Sequence, residues 1–244
     1  MASLIRRRLI QRGLWAAGAA AGALAMAGPA LAQDGGKYPN KPITLVVPHA
    51  PGGSVDGVAR IYAEHLKEQL GQSVVVENKP GASGMIGAGY VARQPADGYT
   101  LYLNASIHSI NPLLYKSTIK FDAVKDFTAI SEVAKGALIF SIHPSVPAKT
   151  PQELVAVVKQ NPSKYSFITS GFGSAGHLAM ASFLASNGLG DQPIVLYKGG
   201  GPALTDLVGG QVTGIMDPML SSAPFVKAGK LRALAVTGKD RSPL

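Results

Sequence analysis

Cysteine is absent from the 244 residues. That removes disulfides, thiolate zinc sites, iron–sulfur clusters and cysteine nucleophiles together. Acids are scarce, with 14 Asp and Glu against 23 Lys and Arg, and only 15% of residues carry charge. Low charge combined with 46% hydrophobic content excludes a disordered chain, which needs the opposite balance. Aromatic residues make up 7% and form no stacking stripe. No stretch reaches the ~20 strongly apolar residues of a membrane span. The longest apolar run, Gly13 to about Ala27, is built mainly of Ala and Gly. At roughly 150 residues per domain, the length suits one large domain or two small ones.

The positive balance is concentrated at the N-terminus. Arg6, Arg7, Arg8 and Arg12 precede the apolar run with no acid among them, and Pro29 and Ala30-Leu31-Ala32 close it. A basic region, a short apolar region and an A-x-A site predict a secretory signal peptide over residues 1–32, cleaved after Ala32. Arg7-Arg8 before Leu9-Ile10 fits a twin-arginine signal or an ordinary basic region equally. Without those four arginines the net charge falls from +9 to +5 over 212 residues. The remaining Lys and Arg are scattered singly, whereas nucleic-acid binding needs a patch or stripe. The expectation is a soluble protein outside the cytoplasm, in the periplasm of a bacterium, with no nucleic-acid partner.

After the signal, strand-like and helix-like segments alternate. Ile43–Val47 is a β-branched apolar run that predicts a buried strand. Ser54 is placed to cap a helix on which Val55, Val58, Ala59, Tyr62, Leu66 and Leu70 share a face, with Gly71 ending it. Val74–Val76 and Thr100–Leu103 predict further strands, with a helix from about Met85 to Arg93. In the second half, strands are expected near 137–142, 165–169, 194–197, 213–216 and 231–236, separated by helices near 151–160, 175–187, 202–208 and 223–228. This alternation predicts an α/β fold with parallel sheets. The pattern restarts near Val133–Gly136, giving a first domain of residues 33–135 and a second of 136–231.

Two glycine-rich loops, one per half, join a strand to a helix: Pro48 to Asp56 and Ser170 to His177. Glycine lets backbone approach a ligand, and a helix N-terminus offers unpaired N–H groups at its positive end. Paired across a cleft, two such loops would grip an anion such as a carboxylate or phosphate. The second loop also matches G-x-G-x-x-G, but Asp191 precedes the next strand where a ribose-binding acid should end it. Nicotinamide binding is therefore set aside. The nucleophile elbow G-x-S-x-G is broken, since Phe172 stands two residues before Ser174. A secreted α/β hydrolase using Ser174 or Ser54 with His177 stays as the alternative from another class. His49, His65, His108, His143 and His177 show no metal-ligand spacing, and neither metal nor cofactor is expected. His177 suits a site or a capping role. Lys198 suits a charge contribution or solvent, and Asp217 a strand-end ligand group or a turn cap before Pro218. Ser106 and His108 qualify by position, just past the third strand.

The run Pro42–Pro48 through Pro51-Gly52-Gly53-Ser54-Val55-Asp56 resembles the opening of the substrate-binding receptors of tripartite tricarboxylate transporters, the Bug receptors. Glu77–Gly84, Asp97–Leu101, Tyr197–Gly199, Leu207–Val212 and Leu231–Thr237 continue the resemblance in order. It implies a two-domain periplasmic binding protein, type II-like, closing like a Venus flytrap on a small carboxylate in an interdomain cleft. By the same resemblance, Gly52, Gly53, Ser54 and Asp56, then Ser170, Gly173, Ser174 and His177, hold the ligand, with Ser106 and Asp217 added by position. Binding would proceed without chemistry. The protein would be a monomer handing its ligand to the membrane components of a tripartite transporter. His49 stands where the family usually has an aromatic or apolar residue. The chain stops at Arg241–Leu244 within a stretch that family members continue, so residues 232–244 are expected to return to a C-terminally truncated first domain.

Overall fold

The computed structural model describes residues 37–242. The signal peptide expected over 1–32 lies outside the described residues. Every helix and strand among them belongs to the body that begins at Lys41.

Two sheets organise this body. The first has the order β2-β1-β3, with β1 (Ile43–Val47) between β2 (Val74–Asn78) and β3 (Thr100–Tyr102), all parallel. As a central strand β1 is covered on both faces, which is why its sequence is apolar but for the half-buried Thr44. Helix α1 (Ser54–Leu70) crosses over between β1 and β2 and lays Val55 and Ala59 against Leu45, Val47, Val74 and Val76. Gly71 ends it in the left-handed conformation, donating its N–H to the Lys67 carbonyl. Its N-cap is Gly53; Ser54, expected there, is the first helical residue and is free for another bond. Helix α2 (Met85–Val91) joins β2 to β3, and α3 (Ile107–Leu114) follows β3. The α3 segment carries no readable helical signal because Pro112 punctuates it; in the fold this proline sits inside the helix, at the loss of one backbone bond.

The second sheet has the order β6-β5-β7-β4-β8. Its strands are β4 (Leu138–Ile142), β5 (Phe167–Thr169), β6 (Ile194–Leu196), β7 (Gly214–Pro218) and β8 (Arg232–Val236). Helices α4 (Pro151–Gln160), α5 (Ala175–Ser186), α6 (Gly200–Val208) and α7 (Met219–Lys227) connect them. Strand alternation sends neighbouring residues to opposite faces. Phe167 and Met216 join Leu154, Val158, Met180 and Leu184 on one side, while Ile168 and Ile215 join Leu204, Leu207 and Leu231 on the other. Helix α4 begins on Thr150, which accepts the Glu153 N–H, with Pro151 in the first turn.

Two expectations are corrected. The second sheet is mixed: β5, β6 and β7 are parallel, but β4 runs antiparallel to both β7 and β8. Residues 232–236 do not return to the first sheet. They pair with β4, from Ile142↔Arg232 to Ile139↔Val236, and Leu231 and Leu234 pack into the second lobe's cores. Pairing covers the open edge of β4, and period-two alternation alone carries no information about which edge a strand takes.

Phe167 is fully buried on β5. Phe167→Ala is expected to lower unfolding free energy by about 3–5 kcal/mol, measured by urea unfolding at pH 7.

Candidate functional site

The parallel strands of both sheets deliver their C-terminal ends to one region, as ligand sites in α/β sheets require. A cavity of about 250 Å³ lies there. From the first lobe it is lined by Pro48 and His49 after β1, by Gly81–Gly84 after β2 and by Tyr115 after α3. From the second lobe come Ser170, Gly171 and Phe172 after β5, and Leu196, Tyr197 and Lys198 at the end of β6.

The lobes meet backbone to backbone beside it. Ala50 N–H donates to the Lys198 carbonyl at 3.0 Å. A Cβ at Gly201 would lie 2.1 Å from the Pro51 carbonyl oxygen, and one at Gly173 would lie 2.4 Å from a Leu114 methyl carbon. At Gly201 the obstacle is backbone, so only glycine permits the approach, whereas at Gly173 the Leu114 side chain could shift and glycine is favoured by the φ of 80°.

The 81–84 loop is strained. Ala82 and Ser83 both hold positive φ, 46° and 54°, at a cost of about 1–3 kcal/mol each. Its anchors come from the residues around α3: Asn111 Nδ2 donates to the Ser83 carbonyl at 3.0 Å, and the Ser83 and Tyr115 hydroxyls are 3.1 Å apart. The loop therefore presents a fixed hydroxyl pair to the cavity.

Of the ten residues expected to hold ligand, Ser170 lines the cavity. The others take supporting places. Asp56 is buried and accepts from Gly52 N–H at 3.0 Å, from Arg60 Nε and Nη2 at 3.0 Å each, and from Asn78 Nδ2 at 2.9 Å. Burial pulls its carboxyl upward, but the bonds from Arg60, Gly52 and Asn78 outweigh that and hold it below the ordinary range. Asp56 thus braces the loop that Gly52 turns. Gly53 abuts Gly200 of the second lobe. Ser54 Oγ lies 2.6 Å from Ser221 Oγ, which in turn donates to Asp217 together with Ser222. Asp217 is fully buried, and with hydroxyls for partners its carboxyl is pushed up by desolvation to about 6. Ser106 is exposed beside the start of α3 and makes no capping bond.

Ser174 caps α5, its Oγ accepting the His177 N–H at 3.1 Å and lying 3.1 Å from Thr169 Oγ1. The His177 ring accepts the Gly173 N–H at Nδ1 and lies against Phe172. Desolvation lowers its pKa. Ser174 and the His177 ring therefore share no hydrogen bond, and Ser54 is engaged by Ser221, so the Ser–His pair of the hydrolase alternative is not formed. His108 is enclosed by Phe121, Phe127 and Tyr102, with Nε2 on the Ala123 carbonyl.

Among the described residues Lys198 is the only charged side chain of the lining; the sequence alone leaves it between a charge contribution and solvent. Tyr197 also lines the cavity, but its hydroxyl donates to Asp206. Ser83, Tyr115 and Phe172 went unnoticed as lining residues. A Gly-bounded turn at a strand end was the available signal for Ser83, whereas Tyr115 follows a helix that the sequence hides.

Two α/β lobes with a cavity at their strand ends define the fold of a periplasmic solute-binding protein. The description "Tripartite tricarboxylate transporter family receptor" matches residues 58–243. The chain belongs to this family. It is 36% identical over 220 residues to the protein BugT of Bordetella pertussis, covering 90% of this chain and 67% of that one. A Rhodopseudomonas palustris protein solved with adipate superposes with a TM-score of 0.79 at 38% identity, over 84% of this chain and 68% of that one. MatC from Rhodopseudomonas palustris with bound malate gives 0.77 at 29%, over 84% and 70%. The chain spans about two thirds of the length of the relatives it matches.

Asp217 sets a pH dependence. Its folded pKa, raised to about 6 from 3.8, means the native state holds a proton that the unfolded state has released between those values. The stability that Asp217 contributes should therefore fall as pH rises from about 4 to 6, by about 3 kcal/mol at most, while His49, whose pKa burial lowers to about 4, contributes in the opposite direction over the same range. In urea titrations across pH 4–7, the difference in unfolding free energy between wild type and Asp217→Asn is expected to fall with pH over that range.

Proposed function

We propose that this chain is an extracytoplasmic receptor that captures a small carboxylate-bearing molecule in the interlobe cavity. The carrying observation is the lining among the described residues: one cation, Lys198, with the hydroxyls of Ser83, Tyr115 and Ser170 and no acidic side chain. An ammonium and several hydroxyl donors suit a carboxylate, and a cavity of about 250 Å³ suits a molecule of few carbons. Adipate and malate in the related structures support the same ligand class. Pro48, Leu196 and Phe172 offer apolar walls to the ligand's carbon chain.

The mechanism is binding without chemical change. In an open state the two loop sets separate and the cavity fills. Closure then re-forms the Ala50–Lys198 backbone bond and the Ser54–Ser221 contact, adding to the closed state interactions that the open state lacks. The protein acts as a monomer in the periplasm after export by its N-terminal signal. The closed form delivers its ligand to the membrane components of a tripartite tricarboxylate-type transporter. Family membership and an N-terminal sequence of signal type support these assignments.

Isothermal titration with adipate, malate and their diamides tests the reading. At least one acid is expected to bind with unit stoichiometry and its amide at least tenfold more weakly. Lys198→Met should weaken the acid about 10–100-fold, the worth of a charge-assisted hydrogen bond. Equal binding of acid and amide, or an unaffected Lys198→Met, would remove the carboxylate assignment.

A further inference from the structure

His49 differs from the other polar side chains of the cavity wall. Its backbone is held firmly: Asn78 Nδ2 bonds both the His49 carbonyl, at 3.0 Å, and Asp56, at 2.9 Å. The residue is only 9% exposed and lines the cavity. Yet its ring makes no hydrogen bond among the described residues. Nε2 is sealed and unpartnered, whereas Nδ1 is not sealed and is equally unengaged. A buried polar ring without partners lowers stability, and an apolar ring of similar shape would avoid that loss.

The arrangement also decides where the proton sits. Burial keeps the imidazole uncharged, lowering its pKa to about 4. An orphaned buried N–H is less tolerated than an orphaned acceptor, so the sealed Nε2 stays unprotonated and Nδ1 carries the hydrogen. That leaves one free donor on the reachable edge of the ring. The Ala50–Lys198 backbone bond brings residues 49 and 198 into the wall from adjacent backbone, and among the described residues no acidic side chain of the lining competes for either of them.

We propose that His49 is the selectivity residue of the cavity: its imidazole N–H donates to the acid group that Lys198 attracts. The ligand is then a small acid held at this end by one cation and one uncharged donor, with its remaining atoms against Tyr115, Phe172 and Leu196. The orphaned ring is a stability loss in the empty protein that ligand removes. This rests on the receptor reading above.

The test compares the full chain with His49→Phe and His49→Gln, by titration with adipate and malate and by thermal melts without ligand. His49→Phe should weaken the acid bound by the wild type about 10–100-fold. Its ligand-free Tm should be unchanged or raised by about 2–6 °C. His49→Gln keeps a side-chain N–H and should stay within about fivefold of wild type. Three results would overturn the inference: His49→Phe binding within twofold of wild type, a loss of affinity matched by a lowered Tm, or His49→Gln failing as badly as His49→Phe. If the wild type binds neither acid, the receptor reading falls and takes this inference with it. If the wild type binds and His49→Phe equals it, the inference falls alone.

Discussion

The closed cavity depends on one close approach, the backbone of the loop after β1 lying on the backbone after β6. Ala50 N–H reaches the Lys198 carbonyl, and Gly201 comes so near Pro51 that a Cβ has no room. Side chains at this seam would hold the lobes apart by the width of a methyl group or more and open the cavity to water. Its glycines therefore serve the close approach of the two lobes. Lys198 is itself solvent-exposed, and Ser83, Tyr115 and Ser170 contribute hydroxyls to the same lining.

Around the seam, buried carboxylates are handled in two ways. Asp56 has a guanidinium and two further donors and is stabilised as an anion; it ties the first loop to β2 through Asn78. Asp217 has hydroxyls, one of which also meets Ser54 from the first lobe. Burial raises the pKa of both groups; at Asp56 the bonds from Arg60, Gly52 and Asn78 outweigh it, whereas at the more deeply buried Asp217 the two serine hydroxyls do not. Asp56 is a brace. Asp217 is a buried charge coupled to the contact between lobes, and its ionisation is linked to how firmly that contact holds.

Much of the fold was legible. β1 announces itself by four apolar residues and a threonine in a row, α1 by its apolar face and Gly71, and the loop after β5 by its glycines, because each signal is carried by residues near one another in sequence. The helix at Ile107–Leu114 was hidden by Pro112, and the edge taken by β8 by the fact that pairing partners 90 residues apart leave no local trace. Within the site, the two loops were found but their inward faces were not. Asp56 and Ser54 are expected as ligand groups by the family resemblance. In the fold, Arg60 and Asn78 take the first and Ser221 the second.

By itself the sequence determined the strand–helix alternation, the loops that meet at the strand ends and the ordered motifs that place the chain in its family. Those features follow from local steric preference and period. Tertiary structure alone decided that Lys198, His49, Ser83 and Tyr115 share one cavity wall while Asp56, Ser54 and Asp217 stand behind it. Which way a loop residue faces depends on what packs against its other side, and here the packing comes from segments up to 167 residues away.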